Sequence, residues 1–205
     1  MHEEMNSDSP VPAVEGCRPR AARRHGAAGL AALAGLAALA GCSPSLDWRS
    51  VPLPDSQLVA QMPCRPGRFQ RDVAVAGVPL KLFMLSCEAD GVTYGVATAD
   101  VGDPARVDAV LVELAADARR ALRAPNAPLA PFELAGATPF RGNVSGRIQG
   151  SRPDGQSVEE SLRLFARGTR IFQVNAIGPA LADAAIRPFE DDLRFALENR
   201  VTDPN

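Results

Sequence analysis

Beyond residue 56 the chain alternates apolar and polar positions in short runs, and the alternation gives way to helical spacing twice. The segment "QLVAQMPC" reads as a short first strand that stops at Pro63. In "RFQRDVAVAG", Val73 and Val75 fall on one face; in "VPLKLFMLSCEAD", Leu80, Leu82 and Met84 alternate with Lys81, Phe83, Leu85 and Cys87. Side chains two apart share a face of a strand, so both runs are expected to be extended. Asp90-Gly91 has the composition of a type I′ hairpin turn, and "VTYGVATADV" returns with Val92, Tyr94 and Val96 facing one way. An antiparallel meander is the expected result.

The period then lengthens. Asp103 suits an N-cap and Pro104 the first helical position, and Val107, Val110, Leu111, Leu114, Ala118 and Leu122 recur at helical spacing to about Arg123. Arg106, Glu113, Asp117 and Arg120 form the opposite, solvated face. The run "APNAPLAPFELAG" carries too much proline for a helix or a central strand and is expected to be a surface connection. Three more strands follow in "ATPFRGNVSGRIQG", "VEESLRLFARG" and "TRIFQVNAIG", joined by the turn Arg152-Pro153-Asp154-Gly155 and by Gly168-Thr169. A closing helix is expected from about Pro179 to Asn199, with Leu181, Ile186, Phe189, Leu193, Phe195 and Leu197 as its contacts. Pro188 should kink or split it, because proline removes a hydrogen bond and crowds the preceding turn.

The first 41 residues follow different rules. Arg18, Arg20, Arg23 and Arg24 precede an uncharged run of Ala, Leu and Gly from Gly26 to Leu39, the length of a signal-peptide core. It is too short and too weakly apolar for a comfortable membrane span, which takes roughly 20 residues. Leu39-Ala40-Gly41-Cys42 closes the run and resembles the lipobox of bacterial lipoprotein precursors. That resemblance implies lipidation of the Cys42 thiol, cleavage before Cys42, and anchoring through acyl chains. With Ser43 rather than aspartate after the cysteine, it also implies the periplasmic face of the outer membrane. The alternative is an uncleaved N-terminal helix in the inner membrane. The expected organisation is signal peptide 1–41, tether 42–55, a single α+β domain 56–200 and a tail 201–205. Trp48, the only tryptophan, falls in the tether, either docked on the domain or at the lipid interface.

Cleavage would leave 164 of the 205 residues, enough for one domain with its own core. Both histidines, His2 and His25, lie in the leader. A mature chain without histidine excludes Ser-His-Asp and Cys-His nucleophile pairs and the usual histidine-containing zinc or iron sites. No catalytic residue, cofactor site or metal site is assigned. A net charge of −2, with no basic stripe interleaved with aromatics, gives no sign of a nucleic-acid partner. Cys64 and Cys87 remain as an even pair in an oxidising compartment, which most simply forms a disulfide; the other readings are a redox pair, a poor two-thiolate metal site, or two separate thiols.

The order of elements, with the segments "LVAQMPCRP", "AGVPLKLFML", "VTYGVATADV", "GTRIFQVNAIGP" and "PFEDDLRF", resembles the PsbP-like superfamily over most of residues 58–195. The superfamily is named for an extrinsic photosystem II subunit and is shared with a nuclear-import factor that binds Ran. The resemblance implies an α+β fold, an antiparallel sheet of about six strands packed with two main helices, used as an accessory or binding module. It carries over no functional residue.

The remaining polar groups are expected to be structural. Glu159-Glu160 and Glu190-Asp191-Asp192 read as solvated surface rather than as acid/base pairs or calcium ligands, because neighbours on a strand or helix do not converge on one point. Arg119, Arg120 and Arg123 read as solvated rather than as binders of lipid phosphate. Gly142, Gly146 and Gly150 mark bends or close backbone approach. Ser86, Thr98 and Ser145 have no base to activate them. The expected function is that of a non-enzymatic lipoprotein that binds or supports an envelope protein. The alternatives are a carrier of a small apolar ligand held between sheet and helix, and a carboxylate-dependent hydrolase.

Overall fold

The structure, a computed structural model, describes residues 46–196, so Cys42, the leader and the tail lie outside the described residues. The first strand is β1 (Arg49–Pro52), followed by β2 (Leu58–Met62), β3 (Gly67–Val75), β4 (Val78–Ala89) and β5 (Val92–Asp100). Helix α1 (Pro104–Ala121) and the two-residue β6 (Ala130–Pro131) precede a second meander of β7 (Val144–Ser151), β8 (Ser157–Arg167) and β9 (Arg170–Gly178). Helix α2 (Asp183–Asp191) and β10 (Arg194–Phe195) close the fold. The class is α+β. One antiparallel sheet has the order β3-β4-β5-β9-β8-β7-β6, and a smaller one the order β1-β2-β10. The large sheet thus holds six of the seven runs read as strands plus the short β6; the first run, "QLVAQMPC", is β2 of the small sheet.

The turns form as their residues dictate. Asp90 and Gly91 both have positive φ, 51° and 72°, the geometry of a type I′ turn whose twist matches the strands it joins. The β3–β4 hairpin turns the same way through Ala76 and Gly77, at φ 49° and 70°. Alanine is disfavoured at positive φ whereas asparagine tolerates it. Ala76→Asn is expected to raise stability by about 0.5 to 1 kcal/mol, read as an upward shift in the urea midpoint with unchanged slope.

Period two sorts the sheet's side chains into two cores. Leu80 of β4, Ala99 of β5, Leu162 and Leu164 of β8 and Ile171 of β9 meet Val107, Val110 and Leu111 of α1. On the other face, Leu85, Tyr94, Val96, Phe165 and Phe172 meet Leu58 and Met62 of β2 and Ile186 and Phe189 of α2. The central strands are therefore covered on both sides. Asp103 caps α1 by accepting a 2.9 Å hydrogen bond from the Ala105 amide, with Pro104 opening the helix. The end of α1 presses on β7: a Cβ on Gly150 would lie 2.0 Å from the Leu122 carbonyl oxygen, which instead accepts from the Ser151 amide at 3.0 Å. Close backbone approach is thus the reason for glycine there, and Gly142 and Gly146 are crowded in the same way.

Two expectations about the chain's ends need correction. Residues 49–52, read as tether, form β1 and pair with β2 from Arg49↔Met62 to Pro52↔Val59. β1 is an edge strand, which tolerates proline, so Pro52 does not prevent pairing. Trp48 is docked, half-buried with its ring edge-on to Tyr94 at 6.3 Å. The closing helix is also shorter than expected, ending at Asp191, three residues after Pro188, whose missing N–H weakens it. Leu193 and Phe195 are two apart, which is strand spacing, and the chain returns as β10 against β2, Arg194 opposite Val59.

Candidate functional site

Cys64 and Cys87 are bonded, their Cα atoms 6.0 Å apart, joining the end of β2 to β4 and so the small sheet to the large one. They are not free thiols. Lipidation at Cys42 concerns a residue outside the described ones.

The acidic residues divide into those with arginine partners and one without. Glu159 is only partly exposed; its carboxylate accepts from Arg147 at 3.2 Å and from the Leu181 amide at 2.9 Å. Burial pushes Glu159 up, but the Leu181 amide and Arg147 together outweigh it and hold its pKa below the usual carboxylate value. Arg147 also meets Asp183 at 2.6 Å and the Leu181 carbonyl at 2.8 Å, so it staples β7 and β8 to the start of α2. Arg163 reaches Glu190 at 3.7 Å and Asp191 at 3.6 Å, and Ser161 donates to Glu190, fixing α2 to the sheet. The solvated reading of Glu159 and Glu190 is therefore wrong. Both are stapling groups on the α2 face.

Glu160 is different, and the surface reading fails there most completely. It is 3% exposed because it lies on the face of β8 that α1 covers, three residues beyond the strand's exposed start at Ser157. Its hydrogen bond is from Asn175 Nδ2 on β9, at 2.9 Å, and no lysine or arginine among the described residues forms an ion pair with it. Burial raises its pKa, which the Asn175 hydrogen bond opposes only in part. Asn175 stands opposite Gly95 of β5, and a Cβ on Gly95 would lie 2.6 Å from Asn175 Oδ1. The absent side chain on β5 makes room for the amide that holds the carboxylate.

Glu160 lines a cavity of about 480 Å³ between α1 and the sheet. Val73 and Val75 of β3 and Leu80 and Leu82 of β4 form one wall; Leu114 and Ala118 of α1 form the roof. Glu160, Gln173 and Asn175 supply polar atoms at the floor, while Arg71 and Asp117 lie at its exposed rim. The gap has a sequence cause. On β5, positions sharing the face of Ala99 are Ala97 and Gly95, too small to fill the space under the helix. A cavity of this size, mostly apolar with a few convergent polar groups, is the usual form of a small-molecule site.

The other polar candidates are structural. Arg120 pairs with Glu113 at 2.7 Å and with Asp117, and Arg119 donates to the Ala127 carbonyl at 2.9 Å. Thr98 donates to the Ile171 carbonyl at 2.9 Å. Among the described residues no group of three or more His, Cys, Asp and Glu is placed to hold a metal, and no helix is long and apolar enough to cross a membrane. Comparison with family models, with curated proteins and with solved structures finds no match. The cavity's own chemistry carries the functional argument.

Glu160→Gln gives that chemistry a stability signature. A carboxyl whose folded pKa is raised costs nothing while protonated in both states; stability is lost as pH rises from the unfolded value, about 4.3, through the raised native value. The charged groups at the cavity are Arg71 on β3 and Asp117 on α1, both present in the variant. Urea titrations across this range should show Glu160→Gln gaining on the wild type as pH rises and levelling above it. A difference independent of pH would mean that Glu160 titrates as it does in the unfolded chain.

Proposed function

We propose that this chain is a non-enzymatic, lipid-anchored binding module of the bacterial cell envelope, whose α1 cavity accepts a small apolar ligand. The observation that carries the binding assignment is the open, largely apolar cavity of about 480 Å³ under α1. It favours the carrier among the alternatives. A carboxylate-dependent hydrolase has less support, since the other carboxylate at the cavity is Asp117, exposed and engaged by Arg120. The PsbP-like resemblance belongs to the same proposal, supported by the antiparallel sheet with helices on both faces.

The anchor rests on the order arginines, apolar run, Leu39-Ala40-Gly41-Cys42 and short tether. With two or more acyl chains, at about 0.8 kcal/mol per buried methylene, attachment is effectively permanent. The Asp47 amide already donates to the Pro63 carbonyl at 2.7 Å, so at most about 18 Å of extended chain separates Cys42 from the domain. The domain is then held against the membrane, within reach of apolar molecules that partition there. Intact mass of protein recovered from bacterial membranes, beside Cys42→Ala, tests this. A chain beginning at Cys42 with three acyl groups is expected; a full-length unlipidated chain would withdraw the lipoprotein assignment.

A further inference from the structure

We propose that the α1 cavity selects an apolar molecule bearing a protonated amine, whose head pairs with Glu160 at the floor while its hydrocarbon part lies along Val73, Leu80, Leu82 and Leu114. The inference rests on the cavity being the binding site, and deepens that reading by naming the ligand's chemistry.

Glu160 is the argument. Among the described residues Glu159, Glu190 and Asp191 each meet an arginine, and Glu160, more deeply buried than any of them, does not. A buried carboxylate is normally paired with a cation, since isolated burial is costly. Asn175 supplies one hydrogen bond to Oε1, which leaves the other oxygen free to accept from an ammonium group. Asn175 has room for this position because Gly95 carries no side chain, and Gln173 adds a further polar group to the lining. The small residues of β5 make the space and the floor supplies the charge. Arg71 offers the opposite charge at the rim, but it is exposed and hydrated, so a ligand carboxylate would gain less there than an amine gains at Glu160. Asp117 at the rim is held by Arg120 and does not compete for the ligand's head.

The test compares three probes of equal chain length, octylamine, octanol and octanoate, below their micellar concentrations. At about pH 7.5 the alkylamine is protonated, as a lysine would be. Titration calorimetry should show octylamine binding the wild-type domain at least about tenfold more tightly than octanol, with octanoate weakest, and Glu160→Gln should remove that preference while still binding octanol. A second readout needs no variant: octylamine should shift the Glu160 carboxyl carbon signal in the wild-type protein and lower the pH at which it titrates. Equal binding of octylamine and octanol with an unmoved Glu160 signal would overturn the amine assignment and leave the apolar cavity standing. Preference for octanoate would overturn it in favour of Arg71. Failure of all three to bind would remove the cavity reading itself.

Discussion

Replacing Cys64 and Cys87 together by alanine is expected to lower the unfolding free energy by about 3 to 3.5 kcal/mol. The bridge closes a loop with a sequence separation of 23, for which the chain-entropy estimate gives that figure. Position adds to the effect, because the bond ties Cys64, just after β2, to β4 of the large sheet. The small sheet is otherwise held by apolar packing of Leu58, Ala60, Met62 and Phe195 and by the Arg167 hydrogen bond to Gln57 at 2.7 Å. Urea unfolding of the double variant, beside the reduced wild type, measures the loss; the two should agree. A loss below about 1 kcal/mol would mean that the unfolded chain is already compact around these residues.

Phe165→Ala is expected to cost about 3 to 5 kcal/mol, the range for truncating a fully buried aromatic side chain. Phe165 has no exposed surface and stacks on Phe172, with ring centres 5.1 Å apart. Its ring also meets Phe132 at 5.7 Å and Phe195 at 6.2 Å, so one side chain joins β8, β9, the proline-rich crossing and β10. Phe132→Ala, at a half-buried position on the rim of the same cluster, should cost less. Thermal and urea unfolding check both, and a loss under about 1.5 kcal/mol at Phe165 would mean the cluster collapses to fill the space. The cavity lies on the opposite face of the sheet, so probe binding should survive wherever the variant remains folded.

Local rules made much of the fold legible in the sequence. Asp90-Gly91 specifies its hairpin through positive φ, and Asp103-Pro104 starts α1 by capping and by a preset φ. Elements that depend on distant partners were hidden. Strand β1 ends in Pro52 and becomes a strand only because β2 supplies the ladder. In the closing segment Ile186 and Phe189 have helical spacing whereas Leu193 and Phe195 have strand spacing, and the two periods join into one apparent helix. Glu160 looked like surface because a charge at a strand start usually is. The missing information was that α1 covers that face, a long-range fact. The small residues Gly95 and Ala97 on β5 were the available signal, since they lie on the face that α1 roofs and leave it incompletely filled.

A ligand site under α1 should take up a neutral apolar probe. Titration of the wild-type domain with phenylnaphthylamine, a neutral apolar fluorophore whose emission rises in apolar surroundings, tests it most directly, with Ala118→Phe as the comparison. Ala118 is buried in the cavity roof, so the added ring should fill the space that the probe would take. Saturable one-to-one binding to the wild type is expected, with its loss in Ala118→Phe while the urea midpoint shows the variant still folded. Absence of saturable binding to the wild type, or equal binding by a folded Ala118→Phe domain, would contradict a ligand site there.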